Sequence, residues 1–183
     1  MGQAEVSRLG PGDARAQFDE IQQVYAVAFP NYDLGDHRRR TLRQIGSAGF
    51  EAVTARENGA LVGFAYGLPL SARSTWWDGL RPLQPDGFAV ETGRRTFAVI
   101  DLAVLPSHRG RGLGRRLMDE LLGSRPEERA TLATVPDNRE TQRMYERWGW
   151  SLVGRVLGVE GETSDAFDLY VIALRPEAPT SSR

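Results

Sequence analysis

The chain contains no cysteine among its 183 residues. It therefore has no disulfide framework, no cysteine zinc site and no thiolate nucleophile. Lysine is also absent, so all 23 residues counted as lysine or arginine are arginines. This second absence excludes a Schiff-base lysine and the phosphate-binding lysine of a P-loop. Covalent catalysis through either of these side chains is therefore excluded.

The sequence also lacks an excess of one charge and any long apolar run. Its 23 basic and 24 acidic residues give a formal net charge of −1, so no global positive field attracts nucleic acid or an anionic membrane. No apolar stretch approaches the roughly 20 residues that span a bilayer, and the N-terminus has no basic segment followed by an apolar run. We expect a cytoplasmic protein without nucleic-acid or membrane partners, which binds any polyanion locally.

The length and composition favour one domain. A chain of this size with 40% hydrophobic residues can bury one substantial core. We therefore predict a single domain over residues 1–175. Residues 176–183 are rich in Pro, Ser and Thr, and we predict a disordered tail there.

The spacing of apolar residues predicts two N-terminal helices and a hairpin. Three- and four-residue intervals predict helices over residues 13–29 and 36–45. Alternating apolar residues on both sides of Asn58-Gly59 predict a tight hairpin. An irregular stretch then runs to about residue 94, and loops of that length are either functional or disordered. The second helix is predicted to carry a solvated face formed by Arg38, Arg39, Arg40 and Arg43.

The second half of the chain alternates predicted strands and helices, which indicates an α/β fold. Residues 96–105 are apolar except for Asp101, as expected of a central strand buried on both faces. A helix with a leucine stripe follows from about residue 112. The remaining predicted elements are a strand from residue 130, a helix over 139–148, and strands over 151–157 and 167–174.

Residues 109–115, which read RGRGLGR, lie between this strand and this helix and are called the glycine loop below. Their glycines let backbone N–H groups approach an anion without an intervening side chain. The positive end of the helix favours the same anion, and arginines can add charge-assisted hydrogen bonds. We predict that the loop holds a pyrophosphate. The residues expected to contact it are Arg109, Gly110, Arg111, Gly112, Leu113, Gly114 and Arg115.

Two other phosphate-binding loops do not fit this spacing. The P-loop requires a lysine, which the chain lacks. The dinucleotide motif G-x-G-x-x-G requires a third small residue where Arg115 stands. A glycine-rich turn with its arginines in solvent remains an alternative interpretation.

The glycine loop resembles the cofactor loop of the GNAT superfamily of N-acetyltransferases. The cofactor motif of that family, Arg/Gln-x-x-Gly-x-Gly/Ala, corresponds here to Arg109, Gly112 and Gly114. The strand before the loop, which ends in LAVLP, also resembles the family.

A second motif extends the resemblance. The family typically has an asparagine, a tyrosine seven residues later, and Gly-Phe after the helix. This chain has Asn138, Tyr145 and Gly149-Trp150, with tryptophan in place of phenylalanine. The two motifs occur in the family's order, and the resemblance covers roughly residues 50–174.

The resemblance implies a fold, a cofactor and a reaction. The fold is a mixed, largely antiparallel twisted sheet with helices on both faces and a splay between the central strands. Acetyl-CoA is the implied cofactor, with CoA as the product, and its pantetheine arm would pair with Leu102, Ala103 and Val104 as an extra strand. The N–H of Val104 would polarise the thioester carbonyl. The reaction would be direct transfer of acetyl to a primary amine, without a covalent enzyme intermediate.

Such a reaction needs an acid and a base. The resemblance assigns the acid to Tyr145, and the alternative for this residue is a buried aromatic ring. It assigns a cofactor contact to Asn138, and the alternative for this residue is a hydrogen bond at the start of the helix. We predict Asp101 as the base, because a carboxyl group in an apolar strand lies in an environment that suits such a role. Pairing with an arginine in the core is the alternative for Asp101.

Other groups compete for the role of base. Glu91, just upstream of the central strand, and a chain of water molecules are the alternatives. Some relatives, notably ribosomal-protein N-terminal acetyltransferases, carry a glutamate five residues before the motif asparagine, but that position is Ala133 here. His37 and His108 are predicted to be surface residues, because no serine and aspartate set accompanies either.

The sequence says least about the site that would bind the acceptor. Trp76 and Trp77 are predicted to form its aromatic wall together with Glu91, unless the two rings fill the core instead. The acceptor would be an amine of a small molecule or peptide, and no metal is implied. A homodimer is a further assembly that the family resemblance suggests. A non-catalytic acyl-CoA-binding module, a longer acyl group and a hydroxyl acceptor remain alternative functions.

Overall fold

The computed structural model describes residues 3–159 and 162–175. These residues form an α/β fold, as the sequence predicts. Its strands are β1 (Glu5–Leu9), β2 (Glu51–Glu57), β3 (Ala60–Pro69), β4 (Thr96–Val104), β5 (Arg129–Thr134), β6 (Ser151–Leu157) and β7 (Ala166–Ala173). Its α-helices are α1 (Pro11–Ala16), α2 (Phe18–Ala28), α3 (Leu34–Ile45), α4 (Leu113–Leu122) and α5 (Arg139–Arg147). The tail predicted over residues 176–183 lies outside the described residues.

The chain divides into two compact units. Among the described residues, the first comprises residues 3–69 and 98–124, and the second comprises residues 70–97, 125–159 and 162–175. Strand β4 therefore begins in the second unit and continues into the first. The single domain over residues 1–175 and the splay between central strands stay predictions.

Strands β1 to β4 are neighbours in chain order. Pairing is antiparallel between β1 and β2 and between β2 and β3. Asn58 and Gly59 join β2 to β3 with φ angles of 52° and 83°. Both angles are positive, as the two-residue type I′ turn requires. The predicted hairpin is confirmed, and so is the largely antiparallel pairing.

The first helices and strand differ in detail from the prediction. The helix predicted over residues 13–29 is two helices, α1 and α2, which Gln17 separates. Helix α3 begins earlier than predicted because the carboxylate of Asp33 accepts a hydrogen bond of 2.7 Å from the N–H of Asp36. Strand β1 was not predicted, since only Leu9 of its five residues is buried and the apolar alternation is missing.

The core of the first unit includes the packing of α2 against β3. The apolar residues of α2 recur on one face of the helix and are buried; they are Phe18, Ile21, Val24 and Tyr25. They belong to the same hydrophobic cluster as Phe64 and Tyr66 of β3. Because α3 packs on α2, this core also places α3 near β3.

In the second unit the strand order is β5-β7-β6, and both pairings are antiparallel. The irregular stretch before β4 is held by a buried polar cluster around Glu91. Its Oε1 accepts hydrogen bonds from Trp77 (2.8 Å), Thr96 (2.7 Å) and Arg129 (3.0 Å). The guanidinium of Arg129 also lies 4.4 Å from the ring centre of Phe88. The irregular stretch is therefore a packed part of this unit.

Two features are absent from residues 3–159 and 162–175. No helix there is long and apolar enough to cross a membrane. No group of three or more histidine, aspartate or glutamate side chains there is placed to hold a metal ion.

Candidate active site

The glycine loop begins just beyond the end of β4. A short 3-10 turn over Pro106–His108 leads into it, and Gly110 and Gly112 then have φ angles of 74° and 75°. Glycine adopts this left-handed region without the steric strain that a side chain brings. Gly112 is the N-cap of α4, and no side chain caps that end of the helix. The first-turn N–H groups are therefore donors without intrahelical partners, as an anion site requires.

The space beside these two glycines is open. A Cβ atom built at Gly110 or Gly112 would meet no other atom within 4 Å. An oxygen of a phosphate can thus approach the backbone where a side chain would otherwise project. The uncapped helix start and this open space are together the fit expected for a pyrophosphate.

The arginines of the loop have different partners. The Nε of Arg109 donates a hydrogen bond of 3.0 Å to the carbonyl of Val104, which ties the loop to the last residue of β4. The Nε of Arg115 donates to the carboxylate of Asp119, one turn later on α4, at 2.9 Å. Arg111 is exposed. The contact of each arginine with a phosphate stays a prediction.

Asp101 lies on β4 with a side chain that is 13% exposed. Its Oδ2 accepts a short hydrogen bond from the hydroxyl of Tyr66 on β3. Two groups of α3 face the same oxygen, namely Nε2 of His37 at 3.5 Å and Nη2 of Arg40 at 3.8 Å. The carboxylate is therefore mostly buried and also paired with an arginine, so both interpretations of the sequence describe part of its surroundings.

Arg38, Arg39 and Arg43 of α3 are exposed, as the predicted solvated face requires, whereas His37 and Arg40 differ from their predictions. His37, expected at the surface, is 1% exposed and stacks on Tyr25 with ring centres 3.6 Å apart. Arg40, expected in a solvated face, is half-buried beside Asp101. The physical reason is that His37, Thr41 and Ile45 recur every four residues and form the buried face of the helix. That spacing was the available signal for His37.

Burial and the nearby carboxylate shift the titration of the groups around Asp101. Burial, followed by the charge of Asp101, raises the pKa of Tyr66 well above its ordinary value. The same two causes raise the pKa of Tyr25 to about 12. Burial lowers the pKa of Arg40, but its neighbours, with the charge of Asp101 first among them, outweigh this effect, and the pKa of Arg40 is raised. Around neutral pH the two phenols are therefore uncharged and Arg40 is charged.

The second motif lies on α5 in the second unit. Asn138 is the N-cap of this helix, and its side chain accepts a hydrogen bond of 3.3 Å from the N–H of Thr141. Tyr145 is 8% exposed, and its ring packs edge-on against Trp148 at 5.6 Å between ring centres and against Trp150 at 6.0 Å. Both residues thus have the structural role that the sequence offered as an alternative. Their catalytic and cofactor roles stay predictions.

Comparison with known protein families decides the assignment. The model of the acetyltransferase (GNAT) family matches residues 18–150, which include both motifs. The chain belongs to the GNAT family of acetyltransferases. The resemblance carried by the glycine loop and by the second motif is confirmed.

Individual relatives agree with the family. The GCN5-like protein acetyltransferase Rv2170 of Mycobacterium tuberculosis is 29% identical over 177 residues, covering 78% of this chain and 85% of the relative. The crystal structure of an aminoglycoside 6′-acetyltransferase type Ii has a TM-score of 0.68 at 19% identity and covers 95% of this chain and 99% of its own. The structure of yncA from Salmonella typhimurium with acetyl-CoA has a TM-score of 0.62 at 19% identity over 100% of both chains. The two structures show that this acetyltransferase shares their fold.

Trp77 and Glu91 have a structural role in this acetyltransferase. Trp77 is 5% exposed and donates to Glu91, whose carboxylate is the centre of the buried cluster with Arg129. Trp77 therefore fills the core, which is the alternative that the sequence offered for the two tryptophans, and Glu91 neutralises a buried arginine. Contact of either residue with the acceptor stays a prediction. Trp76 is half-buried and donates a hydrogen bond of 3.1 Å to Thr131. Its acceptor contact stays a prediction.

His108 is the second histidine that was predicted to be a surface residue, and both of its ring nitrogens have partners. Its Nε2 lies 2.9 Å from the carboxylate of Glu57, and its Nδ1 lies 2.8 Å from the hydroxyl of Ser107. Glu57 ends β2 and is distant in sequence, so no local pattern indicated the pair. The pair fastens the turn before the glycine loop to the hairpin of β2 and β3.

Proposed function

We propose that this GNAT protein transfers an acetyl group from acetyl-CoA directly to a primary amine. The observation that carries the proposal is the glycine loop, where the uncapped start of α4 and two left-handed glycines leave backbone N–H groups open to an anion. Membership of an acetyltransferase family supports acetyl-CoA as the donor that uses this loop.

The donor would be held along β4 and the loop. The residues Gly110 to Arg115 would bind the pyrophosphate through their backbone N–H groups, with arginine side chains adding charge. Backbone groups of Leu102, Ala103 and Val104 would pair with the pantetheine arm, and Asn138 would add a further contact. Acetyl-CoA supplies an activated thioester when it is bound.

Three groups of the chain would carry the chemistry. Asp101 would accept a proton from the substrate ammonium, which leaves a neutral amine to attack the carbonyl carbon. The N–H of Val104 would stabilise the charge that develops on the carbonyl oxygen. A carbon–nitrogen bond forms, the carbon–sulfur bond breaks, and Tyr145 would donate a proton to the departing sulfur. The second proton that the nitrogen loses as the amide forms would reprotonate Tyr145. No side chain is acylated in this sequence of steps.

The acceptor is proposed as a primary amine of a small molecule or peptide. The Mycobacterium tuberculosis relative is a protein acetyltransferase and a structural neighbour is an aminoglycoside acetyltransferase, so both classes belong in one test. Asp101 supports a cationic acceptor, because a mostly buried carboxylate attracts an ammonium group.

The function is tested by thiol release from acetyl-CoA with a panel of acceptors. The panel contains kanamycin, spermidine, free amino acids, a lysine peptide and a peptide with an unblocked N-terminus. We expect release that depends on one class of amine, and mass spectrometry of the product should show one added acetyl group. Binding of acetyl-CoA without amine-dependent release would contradict the proposal and favour an acyl-CoA-binding module. Alcohols and longer acyl thioesters in the same assay test for transfer to a hydroxyl and for transfer of a longer acyl group.

The glycine loop allows a test of the donor site alone. Replacement of Gly112 by alanine should raise the Kd for CoA about tenfold, since a left-handed conformation costs an alanine about 1–2 kcal/mol and distorts the helix start. Isothermal titration with CoA measures the effect. The matched control is Gly87→Ala, which has a φ of 82°, equally open surroundings and a position outside the loop. Equal Kd values for the two variants would argue against the predicted pyrophosphate site.

A further inference from the structure

The contacts of Asp101 converge on one of its two carboxylate oxygens. The hydroxyl of Tyr66, Nε2 of His37 and Nη2 of Arg40 all face Oδ2. The hydroxyl donates a hydrogen bond, and the two nitrogens lie at ion-pair distance. Because these groups come from β3 and α3, packing of the first unit holds the carboxylate from one side. The proton affinity of a carboxylate falls with each donor that favours its charged form.

The hydroxyl of Tyr66 has a defined direction. Its proton is committed to Asp101, so the same oxygen accepts from Thr41, whose Oγ1 lies 2.9 Å away. The pKa of Tyr66 is raised well above its ordinary value by burial and by Asp101, so the phenol remains a proton donor. Thr41, Tyr66 and Asp101 therefore form a chain of hydrogen bonds that ends on the carboxylate.

The imidazole of His37 has a defined tautomer in its neutral form. The side-chain amide of Gln22 donates a hydrogen bond of 2.9 Å to the carbonyl of Leu34, which fixes that amide with its nitrogen near the ring. The same nitrogen lies 3.5 Å from Nδ1 of His37 and can only donate. Nδ1 is therefore the acceptor, and the ring proton is on Nε2, the atom that faces Asp101 and Tyr66.

We propose that Tyr66 and His37 are positioning residues that hold Asp101 by Oδ2 as a carboxylate and leave Oδ1 to receive the proton of the acceptor ammonium. The proposal rests on the proposed function, in which Asp101 is the base. It goes beyond that function because it assigns the orientation of the base to two residues that act through Asp101.

The charged and titratable groups that face Asp101 set the sign of the expected pH effect. They are Tyr66 of β3, His37 and Arg40 of α3, and Tyr25 of α2. Arg40 stays charged and favours the carboxylate in every variant considered. Removal of a group that faces Oδ2 therefore leaves the carboxylate with fewer stabilising contacts, and we expect the acid limb of the pH profile to move to higher pH.

Replacement of Tyr66 by phenylalanine tests the proposal. We expect the acid limb of the pH profile of kcat/KM to move upward by about one pH unit, which is the size expected when a hydrogen bond to a charged group is lost. The Kd for acetyl-CoA should stay at the wild-type value. His37→Phe, which keeps an aromatic ring stacked on Tyr25 but removes the nitrogen that faces Asp101, should move the limb in the same direction. Both profiles are measured with the panel amine of highest turnover.

The control is Tyr170→Phe, because Tyr170 is also 1% exposed and donates to a carboxylate, that of Glu146, at 3.2 Å. Its acid limb should match the wild type. An unchanged limb in both Tyr66→Phe and His37→Phe, or an equal shift in Tyr170→Phe, would overturn the positioning role. The Asp101→Asn variant separates the two ideas. If Asp101→Asn loses turnover while the acid limbs of Tyr66→Phe and His37→Phe stay unchanged, only the positioning role fails. If Asp101→Asn retains turnover, the assignment of Asp101 as the base fails.

Discussion

Replacement of Tyr145 by phenylalanine is expected to lower kcat about a hundredfold or more, the size of a lost general acid. The Kd for acetyl-CoA should change by no more than about twofold, because the hydroxyl would act on the departing sulfur and not on the bound ground state. The ring packs edge-on between Trp148 and Trp150, and phenylalanine preserves these contacts. Steady-state kinetics and titration with acetyl-CoA measure the two quantities separately.

The control for this experiment is again Tyr170→Phe, which removes a buried hydroxyl of the same unit. Its kcat should stay near that of the wild type. A Tyr145→Phe variant with unchanged kcat would remove the residue from the mechanism. A variant with normal kcat but a raised Kd would instead assign Tyr145 to cofactor binding.

Replacement of Asp101 by asparagine is expected to lower kcat/KM for the amine by about 10²–10⁴-fold, the range for loss of a general base. Asparagine has nearly the same shape and still accepts a hydrogen bond from Tyr66, but it cannot take a proton at neutral pH. The substitution also leaves Arg40 half-buried without its carboxylate, so the free energy of unfolding should fall. Kinetics and thermal unfolding are therefore measured on the same preparation.

The control for Asp101→Asn is Glu127→Gln. Glu127 is 2% exposed and pairs with Arg125 at 2.5 Å, so its neutralisation also removes a carboxylate from a buried arginine pair. We expect Glu127→Gln to lose stability but to keep its turnover per folded molecule. Equal turnover losses in the two variants would show that stability, and not proton transfer, explains the effect of Asp101→Asn.

Local signals predicted much of this fold. The Asn58-Gly59 turn indicated the hairpin because few residue pairs adopt two positive φ angles. The strand over residues 151–157 has the predicted bounds, since its apolar pattern is flanked by clear turn residues. The glycine loop was also predictable from the sequence, because its left-handed backbone before the helix is one that glycine adopts without strain.

Features that depend on distant partners were not predicted. Tyr66 lies 29 residues from His37 and 35 residues from Asp101, and no local pattern connects the three. The buried cluster around Glu91 likewise joins residues that are 38 positions apart. Strand β1 was missed for a related reason, because its place beside β2 depends on pairing and not on its own apolar pattern.

By itself the sequence determined the glycine loop, the order of the two family motifs and the absence of a cysteine or lysine nucleophile. Each of these is a property of a short segment or of the composition. Only the tertiary structure decided which groups surround Asp101 and that Trp77 and Glu91 belong to the core. The physical reason is that a side chain's partners depend on how elements pack, and the packing of α2 and α3 with β3 is set by the whole hydrophobic cluster.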